Sequence, residues 1–268
     1  MSVRIVIAGA TGWTGGALVR AIVGSTDLAL VAAVARSAAG ADAGVANGMA
    51  TVGVKLTATL AEALATPSDV VIDYTHPSVV KGHTLTALAA GRHVVVGTSG
   101  LTAEDYRDID AAARRAGKGV VAAGNFSITA TLLTRFAEEA ARYVADVEVI
   151  DYASASKPDV PSGTARELAE RVSAVRAAGS GIPVADIIGP KDARGAAIGE
   201  GVAVQLHSLR LPSYVIACEA IFGAPDERLT IRHDAGSSAA PYVAGTLLAA
   251  RKVVGMVGLT RGLDMLIG

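Results

Sequence analysis

Val3-Arg4-Ile5-Val6-Ile7-Ala8-Gly9-Ala10-Thr11-Gly12-Trp13-Thr14-Gly15-Gly16 is the stretch that decides the fold. Val3 to Ala8 is short, apolar and β-branched apart from Arg4, and reads as a strand. Ala17 to Val23 reads as a helix. A glycine loop between a strand and a helix is the context of a dinucleotide-binding turn. Gly9 permits the tight turn, Gly12 lets the backbone approach a pyrophosphate at the helix N-terminus, and Gly15 lets the helix pack closely on the strand. The spacing is G-x-x-G-x-x-G, not the commoner G-x-G-x-x-G.

Working outward, Leu28 to Val34 reads as the second strand and runs into Ala35-Arg36-Ser37. The residue ending this strand selects the cofactor: an acid holds the ribose 2′-OH of NAD, and an arginine accommodates a 2′-phosphate. Ala35 leaves no carboxylate, so Arg36 and Ser37 point to NADPH, with NADH as the alternative. Asp69 to Tyr74, His93 to Val96 and Gly119 to Ala123 read as further strands. Their exits are Thr75-His76-Pro77, Gly97-Thr98-Ser99-Gly100 and Gly124-Asn125-Phe126-Ser127, polar or glycine-rich as ligand-facing strand ends are. Thr102 with Asp105 resembles a capping box for the next helix. Regular alternation of strand and helix specifies a Rossmann-type, doubly wound parallel sheet.

After a helix over 126–144 the pattern changes. Asp146 to Ala153, Val202 to Leu209, Val215 to Phe222 and Arg228 to His233 read as strands, with one helix after Pro161-Ser162 and a Gly/Pro-rich stretch from Gly179 to Gly201. That pattern predicts an α+β domain with a mostly antiparallel sheet, one of whose faces is open to an oligomer contact. The last helix, Tyr242 to Val254, is apolar enough to return to the first domain. The expected division is a dinucleotide-binding domain of residues 1–125 and 240–268, and a substrate-binding and oligomerisation domain of 126–239.

Composition narrows the function classes. Hydrophobic residues are 51% and charged residues 18% of 268, a well-packed globular composition. A net charge of −1 gives no support for a nucleic-acid partner. The one cysteine, Cys218, excludes an internal disulfide and argues against a structural metal site. No signal-peptide pattern precedes the first strand, and no apolar run is long enough for a bilayer, so a soluble cytoplasmic protein without membrane association is expected.

The second chemical motif is Lys157-Pro158-Asp159-Val160-Pro161-Ser162-Gly163-Thr164-Ala165. A turn on Pro161 and Gly163 presents hydroxyls and backbone N–H groups at a helix start, with a lysine upstream: an anion seat. The alternative is a plain helix N-cap, which uses the same N–H groups. Together these motifs resemble the 4-hydroxy-tetrahydrodipicolinate (dihydrodipicolinate) reductase family, nearly end to end. The likeness includes Gly97-Thr98-Ser99-Gly100, Gly124-Asn125-Phe126-Ser127, Asp159 to Thr164, His207-Ser208-Leu209-Arg210-Leu211-Pro212, Leu229-Thr230-Ile231-Arg232-His233-Asp234 and Gly258-Leu259-Thr260.

The resemblance implies a homotetrameric enzyme passing hydride from NADPH or NADH to a cyclic unsaturated amino dicarboxylate of the lysine and diaminopimelate route. It assigns the dinucleotide to Gly9, Ala10, Thr11, Gly12, Trp13 and Thr14, to Arg36, to Gly97, Thr98 and Ser99, and to Ala123, Gly124, Asn125 and Phe126. It assigns the substrate carboxylate to Ser162, Gly163 and Thr164, with Ser154 at an adjacent contact position and Lys157 as the active-site lysine.

One departure bears on chemistry. The family's run before the lysine reads roughly E-A-H-H-R-H-K, and its first histidine is the proposed general acid. Here the run is Asp151-Tyr152-Ala153-Ser154-Ala155-Ser156-Lys157, so Ala153 stands at that position. Remaining proton-donor candidates are Lys157, Tyr152, Ser154 and His76, with Lys157 foremost. Two alternatives stay open: reduction of a related cyclic imine with fewer carboxylates, and a catalytically silent NADP-binding protein. His207 and His233 are read as packed or hydrogen-bonded, and Trp13 as packing the loop.

Overall fold

The computed structural model describes residues 2–267 and divides them into two compact units. The first runs up to Ile128 and resumes at Ala239; the second is Thr129–Ser238.

The first unit holds β1 (Val3–Ala8), α1 (Trp13–Val23), β2 (Leu28–Val34), β3 (Leu56–Thr57), α2 (Leu60–Leu64), β4 (Val70–Asp73), α3 (Pro77–Ala89), β5 (His93–Val96), α4 (Ala103–Ala116) and β6 (Gly119–Ala122). The second holds α5 (Ile128–Ala141, entered from the first unit), β7 (Asp146–Ala153), α6 (Gly163–Val175), β8 (Ala196–Ile198), β9 (Val204–Arg210), β10 (Ile216–Ala224) and β11 (Glu227–Ala235). The chain then returns to the first unit with α7 (Ala240–Val253) and β12 (Gly258–Arg261).

The first unit's seven-stranded sheet has the order β12-β6-β5-β4-β1-β2-β3, parallel throughout. Both its faces are covered. Ile5, Ile7, Ile72 and Val95 pack with α1 and α7 on one side, and Val6, Val71, Val94 and Val120 pack with α2, α3 and α4 on the other. This two-sided burial is why the strands read as continuous apolar runs with no polar alternation. Sequence reading missed β3, too short to carry a pattern, and β12, whose apolar content is low. The Thr102–Asp105 capping box forms in full at the start of α4.

The second unit's sheet has the order β11-β10-β7-β9-β8. It is antiparallel except for β7 with β9, which lie parallel. The exception follows from α6, which acts as the crossover that a parallel pair requires. The expected Gly/Pro-rich stretch contributes the unforeseen edge strand β8. One face of the sheet (Val149, Leu206, Cys218, Ala220, Phe222) packs against Leu133 and Ala137 of α5 and Leu168 and Val172 of α6. Among the described residues no helix is long and apolar enough to cross a membrane.

Candidate active site

In the first unit the chain order reverses between β1 and β4, and an open parallel sheet receives its ligand at such a point. Gly9 has φ +85°, and a Cβ there would overlap the Tyr74 carbonyl. A Cβ on Gly15 would overlap the Gly9 carbonyl. Gly12 is the N-cap of α1, and no side chain caps that helix. A bare helix N-terminus above a backbone cradle fits a pyrophosphate: the first-turn N–H groups point out, and nothing bulkier than glycine fits beneath.

The loop is braced from behind by a residue the motif did not flag. Asn47, buried, donates from Nδ2 to the Ala10 carbonyl (3.2 Å) and the Ala43 carbonyl (2.8 Å). Arg20 in turn donates to the Asn47 carbonyl at 2.6 Å. Trp13 begins α1 with its ring centroid 5.7 Å from that of Tyr242 and is 60% exposed, so it packs only in part. Arg36 opens a 3-10 turn after β2; it is exposed and without an ion pair among the described residues.

The other strand exits carry the remaining nominated positions. Gly97 lies against the Tyr74 ring, which leaves no room for a Cβ. The Thr98 hydroxyl donates to Asp73 Oδ1 (2.8 Å) and accepts from the Thr75 N–H (2.8 Å). Asn125 accepts the Ser127 N–H at 2.8 Å in a local turn, which delays α5 to Ile128. Thr98, Ala123 and Phe126 are buried, whereas Ser99 and Gly124 are exposed. His76 is the N-cap of α3: its Nδ1 accepts the Ser78 N–H at 3.3 Å, a capping role that accounts for its place before Pro77.

In the second unit the helix start at Ser162-Gly163-Thr164 is built around a buried carboxylate. Asp151 is fully buried near the end of β7. It accepts the Ser162 N–H (2.9 Å), the Ser162 hydroxyl (2.7 Å), the Ser208 hydroxyl (3.2 Å) and Arg210 Nη2 (2.8 Å). The same Arg210 nitrogen reaches the Asp159 carbonyl at 2.7 Å, tying down the loop before α6. Ser162 also accepts the Ala165 N–H at 3.3 Å. Its hydroxyl is therefore committed on both sides and only 2% of the residue is exposed. Ser162 thus anchors the helix start from within, its hydroxyl turned to Asp151. Gly163 is exposed with open space above it, and Thr164 follows half-buried.

Lys157 Nζ pairs with Asp159 Oδ1 at 2.8 Å, and this hydrogen bond holds the Asp159 carboxyl below its usual range. The Ser154 and Ser156 hydroxyls bond each other at 2.8 Å. Tyr152 is turned to the opposite face of the sheet, as strand alternation requires of a residue between Asp151 and Ala153. There its hydroxyl donates to Glu219 at 2.5 Å, under Arg232, whose guanidinium lies 4.6 Å from the ring centroid. Burial and the Glu219 hydrogen bond push the phenol up to about 12. Tyr152 is thereby removed from the proton-donor candidates. Ala153 is fully buried on the Asp151 face. Burial likewise pushes the Cys218 thiol up to about 12, which keeps it protonated. His207 bonds Glu148 (2.7 Å) and His233 bonds Thr129 (3.2 Å), as read.

The model of the dihydrodipicolinate reductase N-terminus matches residues 3–126, and that of its C-terminus matches residues 129–265. A 4-hydroxy-tetrahydrodipicolinate reductase of Parasynechococcus marenigrum is 36% identical over 99% of both chains. One of Desulfitobacterium hafniense is 37% identical over 98% of this chain and 97% of its own. A dipicolinate-bound dihydrodipicolinate reductase structure from Paenisporosarcina superposes with a TM-score of 0.85 at 28% identity, covering 99% of both chains. An amine dehydrogenase of Mycobacterium smegmatis, at 14% identity and a TM-score of 0.65 over 97% of this chain and 95% of its own, shares the fold alone.

Proposed function

The chain belongs to the dihydrodipicolinate reductase family, and from that membership we propose that it is an NADPH-dependent 4-hydroxy-tetrahydrodipicolinate reductase. The observation that carries the reading is the braced helix start at Ser162-Gly163-Thr164, a carboxylate seat with no use in a protein that only senses a dinucleotide. The bare α1 N-terminus and the strand exits of the first unit would hold NADPH, which supplies the hydride. The seat at Gly163 and Thr164 would hold a substrate carboxylate on backbone N–H groups, with Ser154 beside it.

Reduction of the unsaturated ring adds hydride at carbon and a proton at the partner atom. Lys157 is the proton source and the cation that pairs with a substrate carboxylate. Its partner Asp159 is about half exposed, at 49% of its side chain, and such exposed pairs contribute only about 0–1 kcal/mol. Lys157 can therefore leave Asp159 for the substrate at little cost. The test is NADPH oxidation by the purified protein with 4-hydroxy-tetrahydrodipicolinate generated in situ. Turnover that falls sharply in Lys157→Ala is expected; absence of turnover in the unmodified protein defeats the reading.

A second reading is favoured by one observation: Ala153 puts no protonatable group on the Asp151 face. A substrate that is already an iminium is neutralised by hydride alone and has less need of an acid, which suits a cyclic imine with fewer carboxylates. If the acid is what this chain lacks, Ala153→His raises the rate on the dicarboxylate, by about 100-fold, the low end for a positioned acid. A rate on monocarboxylate imines exceeding that on the dicarboxylate would select the second reading.

Exposed Arg36 after Ala35 supports the 2′-phosphate and hence NADPH over NADH. We further read the protein as a cytoplasmic homotetramer whose contact is the sheet face bearing Glu148, Ile150, Tyr152 and Ile221, opposite the face packed by α5 and α6. A monomeric mass in light scattering would end that reading.

A further inference from the structure

We propose that Asp73 is a positioning residue for the nicotinamide end of the cofactor: it locks the loops after β4 and β5 into one arrangement, and His83 locks Asp73. The inference rests on the dinucleotide reading above and goes beyond it, since neither residue belongs to the glycine turn or to the substrate seat.

Asp73 ends β4, behind the apolar Val70-Val71-Ile72, and is fully buried. A buried carboxylate is costly unless its oxygens are satisfied, so its presence at the end of a core strand asks for a reason. Oδ1 accepts the Thr75 N–H (3.1 Å), the Thr75 hydroxyl (2.7 Å) and the Thr98 hydroxyl (2.8 Å). Oδ2 faces His83 Nδ1 of α3 at 2.8 Å. Apart from His83, the donors all come from the two ligand-facing exits. The Thr98 hydroxyl also accepts the Thr75 N–H, so the two exits are joined to each other as well as to Asp73.

The segment that follows is held as tightly. The Tyr74 hydroxyl bonds Thr246 of α7 at 2.7 Å, its ring fills the space over Gly97, and its carbonyl borders Gly9. Asp73 therefore fixes the point where the glycine turn, the β4 exit and the β5 exit meet. In this fold the half built on β1 and β2 takes the adenosine end of the dinucleotide. The β4 and β5 ends belong to the other half. A hydrogen-bond lock confined to these exits acts on the nicotinamide end and leaves the 2′-phosphoadenosine end alone.

That separation makes the test. Affinity is measured for NADPH and for 2′,5′-ADP, which lacks the nicotinamide, in the unmodified protein and in Asp73→Ala, Asp73→Asn and His83→Leu. Amide hydrogen exchange over 75–78 and 97–100 is followed without ligand. Asp73→Ala should weaken NADPH and, through misplacement on the order of 1 Å, lower kcat by up to about 100-fold. Binding of 2′,5′-ADP should hold, and exchange in both loops should rise. Asp73→Asn should recover most of the loss, because its amide keeps an oxygen for the threonines and a nitrogen for His83 in the other tautomer. His83→Leu should shift the same readouts in the same direction by less. It alters a side chain that is 26% exposed, so it carries the test if Asp73→Ala does not fold. Unchanged NADPH affinity and loop exchange in the variants overturn the inference, as does a parallel loss of 2′,5′-ADP. Failure of the unmodified protein to bind NADPH defeats the functional reading itself.

Discussion

Each unit carries a buried aspartate near the end of a strand, and the two are built to different ends. Asp73 gathers a backbone N–H and threonine hydroxyls from the loops after β4 and β5, with a histidine behind it. Asp151 gathers the N-cap of a helix and a guanidinium. The first holds two loops in register; the second holds one helix start and balances a permanent charge. The comparison teaches that backbone presented at a strand end or a helix start rests on buried side chains behind it.

The sharpest way to break the comparison is at Asp151. Asp151→Ala leaves Arg210 charged and 15% exposed with its partner gone, and a broken buried pair costs about 3–5 kcal/mol. Chemical denaturation should show that loss together with loss of turnover. The paired change Asp151→Ala with Arg210→Met should regain part of the stability without regaining turnover, separating charge balance from the seat. If the single variant keeps both its stability and its activity, the two aspartates are not comparable supports.

Next in size is Lys157. Lys157→Ala should cut kcat/KM by about 100-fold, the low end for a positioned acid, while thermal stability moves little because the Asp159 pair is partly exposed. Lys157→Arg should restore carboxylate affinity more than rate, since an arginine binds a carboxylate and holds its proton. Smaller again is Arg36→Ala, which should lower the NADPH-to-NADH preference by about 10-fold, the value of one charge-assisted contact of about 1.5 kcal/mol. A variant with unaltered preference would remove Arg36 from the adenosine end.

The smallest effect concerns pH. Asp105 sits in the α4 capping box, where the Lys81 hydrogen bond, foremost, and the Thr102 bonds hold its carboxyl down to about 2. A lowered carboxylate adds stability above its unfolded value near 3.8, and that stability is lost as pH falls from there toward 2. Asp105→Asn should lower the melting temperature slightly at neutral pH and flatten its fall over that window, the difference from the unmodified protein vanishing as pH approaches 2.

Much of the first unit was legible because its site is made of backbone. Glycine at Gly9 and Gly15 is required by sterics, and sterics leave a mark in one sequence. The parallel sheet was equally plain, since burial on both faces writes continuous apolar runs. The supports left weaker marks. Asp73 was visible only as an acid closing an apolar run, and Asn47 only as a polar residue in a loop. In the second unit the motif at Ser162 was legible as a helix start, but not that its hydroxyl faces inward to Asp151. That depends on which β7 neighbour faces α6, and the pairing of distant strands fixes it. The same alternation, applied to Tyr152, would have excluded it as a donor once Asp151 was known to face the seat.

The return of the chain to its first unit has a consequence for synthesis. The core behind the glycine turn includes Leu247, Ala249, Ala250 and Val253 of α7 and Leu263, and β12 pairs with β6 at the sheet's edge. On the ribosome, β6 emerges well before these partners. At about 5–20 residues per second, the second unit's whole length must be made in between, roughly ten seconds. The dinucleotide unit thus begins first and closes last. The inserted unit has time to settle on its own, whereas the parallel sheet waits with an apolar flank uncovered.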